Sequence, residues 1–124
     1  IGSKEMIDAI YLTKPPYNLS TLSQKIATWV LEDAKSYKKR ISYLKNERDD
    51  LLEELKKIPD IKVSPSDANF ILIETRDLNL DKKLEKRGIF VRSFKGNQNS
   101  LLLRITVGYK EQNKMLIDAL KSVL

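Results

Sequence analysis

The residue least at home in its surroundings is Arg104, set within Leu101-Leu102-Leu103-Arg104-Ile105-Thr106-Val107. Read as a strand, alternation puts Leu101, Leu103, Ile105 and Val107 on one face, and Leu102, Arg104 and Thr106 on the other. A guanidinium amid apolar strand residues is costly unless it meets a carboxylate or phosphate. The competing reading is a solvated face, with the stem lying along apolar neighbours. Arg92 closes Gly88-Ile89-Phe90-Val91-Arg92, a second strand candidate. Two arginines on neighbouring strands could grip a dianion through bidentate hydrogen bonds. Taken alone, an arginine at a strand end is ordinarily just exposed.

Other candidates have a plain structural reading beside the functional one. Lys14-Pro15-Pro16-Tyr17-Asn18 is a rigid turn carrying a phenol and an amide, a pattern shared by functional loops and simple helix breaks. Asn69 opens an apolar segment, where the expected role is a side-chain hydrogen bond to the preceding turn. Trp29 lies on a helical apolar stripe and is expected in the core. Lys35, Lys38, Lys39 and Arg40 are followed by Glu47, Asp49, Asp50, Glu53 and Glu54, a mixture that reads as a solvated helix face.

The composition excludes much. The 124 residues include neither histidine nor cysteine. Disulfides, thiolate nucleophiles and Ser–His–Asp systems are therefore ruled out, and no metal site of the usual zinc type is expected. General acid–base work falls to Asp, Glu, Lys or Tyr. The only glycines are 2, 88, 96 and 108, so no glycine-rich phosphate loop exists. A net charge of +6, from 23 basic against 17 acidic residues, favours anionic partners. Charges of both signs are interspersed and aromatics make up only 7%, which argues against a nucleic-acid binder. No apolar run approaches the ~18 residues of a membrane helix, and no membrane partner is expected. The opening residues lack the basic-then-apolar pattern of a secretory signal.

The elements that would position these residues follow from periodicity. Ser3 caps a short helix over Lys4–Leu12, and the two prolines break it. Ser20 or Thr21 caps a long helical stretch through Ile58, with a bend expected near Glu32-Asp33 and a stop at Pro59. Strands are predicted at Ile61–Val63, Asn69–Glu74, Ile89–Arg92 and Leu101–Val107. The four apolar residues from Phe70 to Ile73 suggest burial on both faces of the second strand. A short helix from Leu80 stops at Gly88, a C-cap, and Phe94–Ser100 reads as a loop or hairpin connection. The last helix carries Met115, Leu116, Ala119, Leu120 and Val123 on one stripe. This order implies an α+β fold: a small, mostly antiparallel sheet of three or four strands packed by helices, preceded by a long linking helix.

Four segments in this order carry a resemblance: Lys14-Pro15-Pro16-Tyr17-Asn18-Leu19-Ser20, Ser64-Pro65-Ser66-Asp67-Ala68-Asn69-Phe70-Ile71-Leu72, Gly88-Ile89-Phe90-Val91-Arg92 and Leu103-Arg104-Ile105-Thr106-Val107-Gly108. The series resembles the last third of the histidinol-phosphate aminotransferase family, fold-type-I pyridoxal-phosphate enzymes, over essentially the whole chain. The resemblance implies amino transfer between L-histidinol phosphate and 2-oxoglutarate in histidine biosynthesis, by a cytoplasmic homodimer. It makes Arg104 and Arg92 substrate-binding residues for carboxylate or phosphate, and Tyr17, Asn18 and Asn69 candidates for lining the cleft.

The family's Schiff-base lysine stands in a Ser-x-Ser/Thr-Lys context before a stretch rich in Gly and Leu. Ser3-Lys4 is followed instead by Glu5-Met6-Ile7-Asp8-Ala9-Ile10. The resemblance therefore puts that lysine and the other cofactor-binding residues upstream of Ile1. It implies no catalytic residue in this chain, no pyridoxal phosphate bound by it alone, and no activity in isolation. Residues 1–32 become a helical segment facing a large domain, and residues 33–124 the small C-terminal domain. Freed of that domain, Ile26, Trp29 and Val30 are expected to be exposed. A threonine-phosphate decarboxylase, an aromatic-type aminotransferase and a stand-alone basic anion- or nucleic-acid-binding module remain as alternatives.

Overall fold

The computed structural model describes residues 2–97 and 99–124. The chain divides into two units, Ile1–Lys38 and Lys39–Leu124. In the first, helix α1 (Lys4–Thr13) is capped by Ser3, whose Oγ accepts from the Met6 amide at 3.4 Å. Helix α2 (Thr21–Glu32) is capped by Ser20, whose Oγ accepts from the Ser23 amide at 3.1 Å. Each cap satisfies one of the amides that a helix start leaves without a partner. The helical run breaks at Asp33, where the bend is expected, and α3 (Ala34–Lys56) follows. No residue of α1 or α2 is buried. Trp29 is 62% exposed, with Ile26 and Val30 exposed beside it, so the expectation of an uncovered face holds for it and that of a core position does not. An apolar stripe marks a face that gains from burial, and these two short helices offer no layer to cover it.

In the second unit, β1 (Ile61–Val63), β2 (Phe70–Thr75), β3 (Arg92–Lys95) and β4 (Leu101–Thr106) form one antiparallel sheet in the order β1-β2-β4-β3. The β1–β2 turn is held by Ser66, whose Oγ donates to the Phe70 carbonyl at 2.6 Å and accepts from the Ala68 amide at 3.1 Å. Helix α4 (Leu80–Glu85) lies between β2 and β3 in the chain, and α5 (Lys110–Val123) follows β4. One face of the sheet supplies Ile71, Ile73, Leu103 and Ile105 to the core. Leu51 and Leu55 of α3, Leu80 and Leu84 of α4, and Leu116, Ile117 and Leu120 of α5 complete it. At ~25 cal/mol per Å² of apolar area removed from water, this cluster is the main stabilising term of the unit.

Three expectations need correction. The predicted third strand, Ile89–Arg92, pairs instead over Arg92–Lys95. Ile89 and Val91 are half-buried while Phe90 is 79% exposed, so the stretch alternates as a strand does without a ladder partner. Strand β2 buries one face only: Ile71 and Ile73 are fully buried, but Phe70 is 37% exposed and Leu72 half-buried. On α5, Met115 is 61% exposed and Ile117 takes the buried place.

Gly88 ends α4 as anticipated. The Gly88 amide donates to the Glu85 carbonyl at 2.8 Å and the Ile89 amide to the Leu84 carbonyl at 3.1 Å, with Gly88 at φ +75°. This paired closure satisfies helix-end carbonyls and brings Ile89 back onto the core that Leu84 occupies. A Cβ at Gly88 would meet nothing within 4 Å, so any penalty there is backbone strain alone. Gly88→Ala is expected to lower stability by about 1 kcal/mol. A urea midpoint unchanged by the substitution would refute that account of the cap.

Candidate anion-binding site

Strand β4 is central: Leu101–Arg104 have a partner on both sides, and Ile105 and Thr106 on the β2 side. Arg104 stands opposite Leu72 of β2 and opposite Arg92 of β3. The two arginines that the sequence singles out thus occupy one rung of the sheet. Their shared face is the one turned away from the core, since the flanking Leu103 and Ile105 are buried. Arg104 is half-buried and Arg92 exposed. This half-open face removes much of the cost that an arginine in an apolar strand first suggests.

A different cost replaces it. Like charges directly opposite on an antiparallel pair repel. Among the described residues, neither guanidinium forms an ion pair with a carboxylate. Each lies over an aromatic ring instead: the Arg104 Cζ is 5.3 Å from the Phe70 centroid and the Arg92 Cζ is 5.4 Å from that of Phe94. Two cations in register, with no anion among the described residues to neutralise them, make a place where a phosphate or carboxylate is favoured.

Both arginines line a cleft of about 650 Å³. Its other walls include the Gly88–Val91 segment, Thr106, Gly108, Gln112 and Asn113. The lining holds no lysine, aspartate or glutamate, so it offers neither an amine nucleophile nor a carboxylate base. No group of three His, Cys, Asp or Glu side chains able to hold a metal occurs among the described residues. What this lining can do is bind and orient an anion.

The turn from β4 into α5 shapes one wall. A Cβ at Gly108 would fall 2.7 Å from Gln112 Oε1 and 3.1 Å from Gln112 Cβ, so a side chain there would have to displace the Gln112 amide. Gln112 Oε1 accepts from the Tyr109 amide at 2.9 Å. Asn113 Oδ1 accepts from the Gly108 amide at 2.9 Å, and its Nδ2 donates to the Gly108 carbonyl at 3.1 Å and to Glu47 Oε2 at 3.1 Å. Glu47 is 8% exposed, although the sequence reading put it on a solvated face. Its spacing of four and eight residues from Leu51 and Leu55 was the signal that it shares their buried stripe. Thr106, Gly108, Gln112 and Asn113 were also missed, because nothing in their types marks a wall-forming turn.

The remaining candidates lie elsewhere. Tyr17 and Asn18 belong to the first unit, in the turn between α1 and α2. Tyr17 has φ 57° and is 99% exposed there. Asn69 is exposed and precedes β2. Its carbonyl accepts from the Val107 amide at 2.9 Å, and the side-chain bond to the turn expected of it is made by Ser66.

Removing the Asn113 amide would strand a buried carboxylate and both backbone groups of Gly108. Asn113→Ala is expected to cost about 2–3 kcal/mol in chemical denaturation. Glu47→Gln, whose amide oxygen still accepts, is expected to cost under about 1 kcal/mol. An Asn113→Ala protein as stable as the parent would show that this network does not hold the turn.

Comparison with known proteins accords with this architecture. Residues 1–120 match the family described as aminotransferase class I and II. The chain is 44% identical over 128 aligned positions to a histidinol-phosphate aminotransferase of Caldanaerobacter subterraneus subsp. tengcongensis, covering 100% of this chain and 36% of that protein. It is 42% identical to a histidinol-phosphate aminotransferase of Ruminiclostridium cellulolyticum, covering 99% and 35%. The chain therefore spans little more than a third of the length of these relatives. Among solved structures, a decarboxylase from Sulfurospirillum multivorans superposes with a TM-score of 0.83 at 22% identity, over 100% of this chain and 38% of that one. The L-threonine-O-3-phosphate decarboxylase from Porphyromonas gingivalis gives 0.79 at 20% identity, over 98% and 39%. These two likenesses show the fold, and the sequence matches show the lineage: the chain belongs to the class I and II aminotransferase family.

Proposed function

We propose that this chain is the substrate-gripping C-terminal part of an enzyme that transfers an amino group between L-histidinol phosphate and 2-oxoglutarate in histidine biosynthesis. The observation that carries the reading is the in-register pair Arg92 and Arg104, lining one cleft without a carboxylate partner among the described residues. Both substrates carry anionic groups, and a planar, permanently charged fork suits phosphate and carboxylate alike. Arg104, half-buried on the central strand, makes the main grip, and Arg92, exposed on the edge strand, assists. Pinning the anion orients the amine or ketone at the other end of the substrate, which contributes proximity.

The family's cofactor, pyridoxal phosphate, supplies the electron sink for amino transfer when bound. The cleft as lined by this chain does not fit the whole cofactor, since it contains no lysine to carry it and no carboxylate to face its pyridine nitrogen. In our reading those groups belong to a large domain N-terminal to this chain. Residues 1–32 then face that domain and residues 33–124 form the small domain that closes over the substrate. The complete enzyme is a cytoplasmic homodimer on the same reading. The sequence relatives named above favour histidinol phosphate over other phosphorylated amines.

In the full-length protein, transamination of L-histidinol phosphate with 2-oxoglutarate is expected. Arg104→Ala should lower kcat/KM about 10- to 100-fold, and Arg92→Ala by about tenfold or less, as befits charge-assisted hydrogen bonds of different exposure. Decarboxylation of L-threonine O-3-phosphate without transamination would refute the proposed substrate. The isolated chain, mixed with pyridoxal phosphate and reduced with borohydride, should yield no stoichiometric adduct on any one lysine. Such an adduct, on Lys4 for example, would overturn the division of labour between the two parts.

A further inference from the structure

Phe70 and Phe94 stand on the same open face as the arginine pair and have no role in the reading above, on which the following rests. Phe70 is opposite Thr106 and Phe94 is opposite Leu102. Thr106 and Leu102 flank Arg104 at two residues on either side. The two rings therefore lie on opposite sides of the Arg92–Arg104 rung, one on β2 and the other on β3. Each guanidinium leans toward its own ring, at 5.3 and 5.4 Å. The like charges are thereby drawn in opposite directions, which relieves their repulsion across the rung.

A guanidinium uses different parts of itself for the two tasks. Its faces stack on an aromatic ring, and its edge carries the N–H groups that meet an anion. Stacking therefore does not compete with anion binding. It restrains a long side chain that otherwise loses considerable rotamer freedom on binding. Both rings are partly open, at 37% and 40% exposure, so neither is explained as core packing. We propose that Phe70 and Phe94 are positioning residues that hold the Arg104 and Arg92 guanidiniums in a preformed stance for the substrate anion.

The test is equilibrium binding of inorganic phosphate to the full-length holoenzyme, competed by L-histidinol phosphate to locate the site. Phe70→Leu keeps an apolar side chain but loses the π-face, and should weaken phosphate about two- to fivefold, as an exposed cation–π contact supports. Phe70→Tyr should restore the parent affinity. In an Arg104→Ala background, Phe70→Leu should have no further effect, because the ring acts only through the guanidinium. Phe94→Leu should behave likewise against Arg92→Ala. A Phe70→Leu protein that binds phosphate as well as or better than the parent, or one equally impaired in both backgrounds, would overturn the positioning role while leaving the anion site standing. An Arg104→Ala holoenzyme that binds phosphate as tightly as the parent would overturn the site and the positioning role together.

Discussion

A central strand that must be apolar on one face and cationic on the other governs the second unit. β4 is hydrogen-bonded to β2 on one side and β3 on the other, so it cannot shift by a residue without breaking two ladders. Its pleat sends Leu103 and Ile105 into the core and Arg104 to the open face. A slip of one position would bury the guanidinium and expose both apolar side chains, a double penalty that pins the register. All the core-forming helix residues then have to gather on the Leu103 side. The open side keeps its half-buried leucines and Arg104 and the more exposed phenylalanines and Arg92, and the site is what remains there.

Much of this organisation was legible in the residue order. Caps at Ser3 and Ser20, the break at Asp33, the Gly88 stop and the run of two strands, helix, two strands, helix all follow from local chemistry that the tertiary structure leaves undisturbed. The misreadings share one cause. Periodicity reports that a residue prefers burial, but not whether a neighbour exists to bury it. Phe70, Leu72, Met115 and Trp29 all satisfy an apolar pattern and yet stand partly or largely open, while Ile89 and Val91 alternate without a ladder. Pairing partners and covering layers are properties of distant segments, which a local window does not contain.

The site was half visible for a similar reason. Arg104 betrayed itself by charge in an apolar context, and Arg92 by lying near it in sequence on another strand candidate. That they fall on one rung depends on the β3–β4 register, which no single strand encodes. Glu47 shows the opposite failure. Its acidic neighbours suggested water, yet its spacing from Leu51 and Leu55 put it on the buried stripe, where it reaches Asn113 across sixty-six positions of chain. Charge type and helical phase disagreed at that residue, and phase prevailed because a hydrogen-bond partner was waiting.

The outer strands differ from the inner ones in a way that bears on solubility. β1 has three residues and β3 four, against six in each of β2 and β4. Pro59 and Pro65 bracket β1, Lys62 sits at its middle, and β3 begins with Arg92 and ends with Lys95. A strand arriving from another molecule would find only three or four positions to pair with, flanked at β1 by prolines that lack an amide and guarded at both edges by repelling cations. Among the described residues the sheet's paired borders are only three and four positions long, even though its interior strands are among the most apolar segments in the sequence.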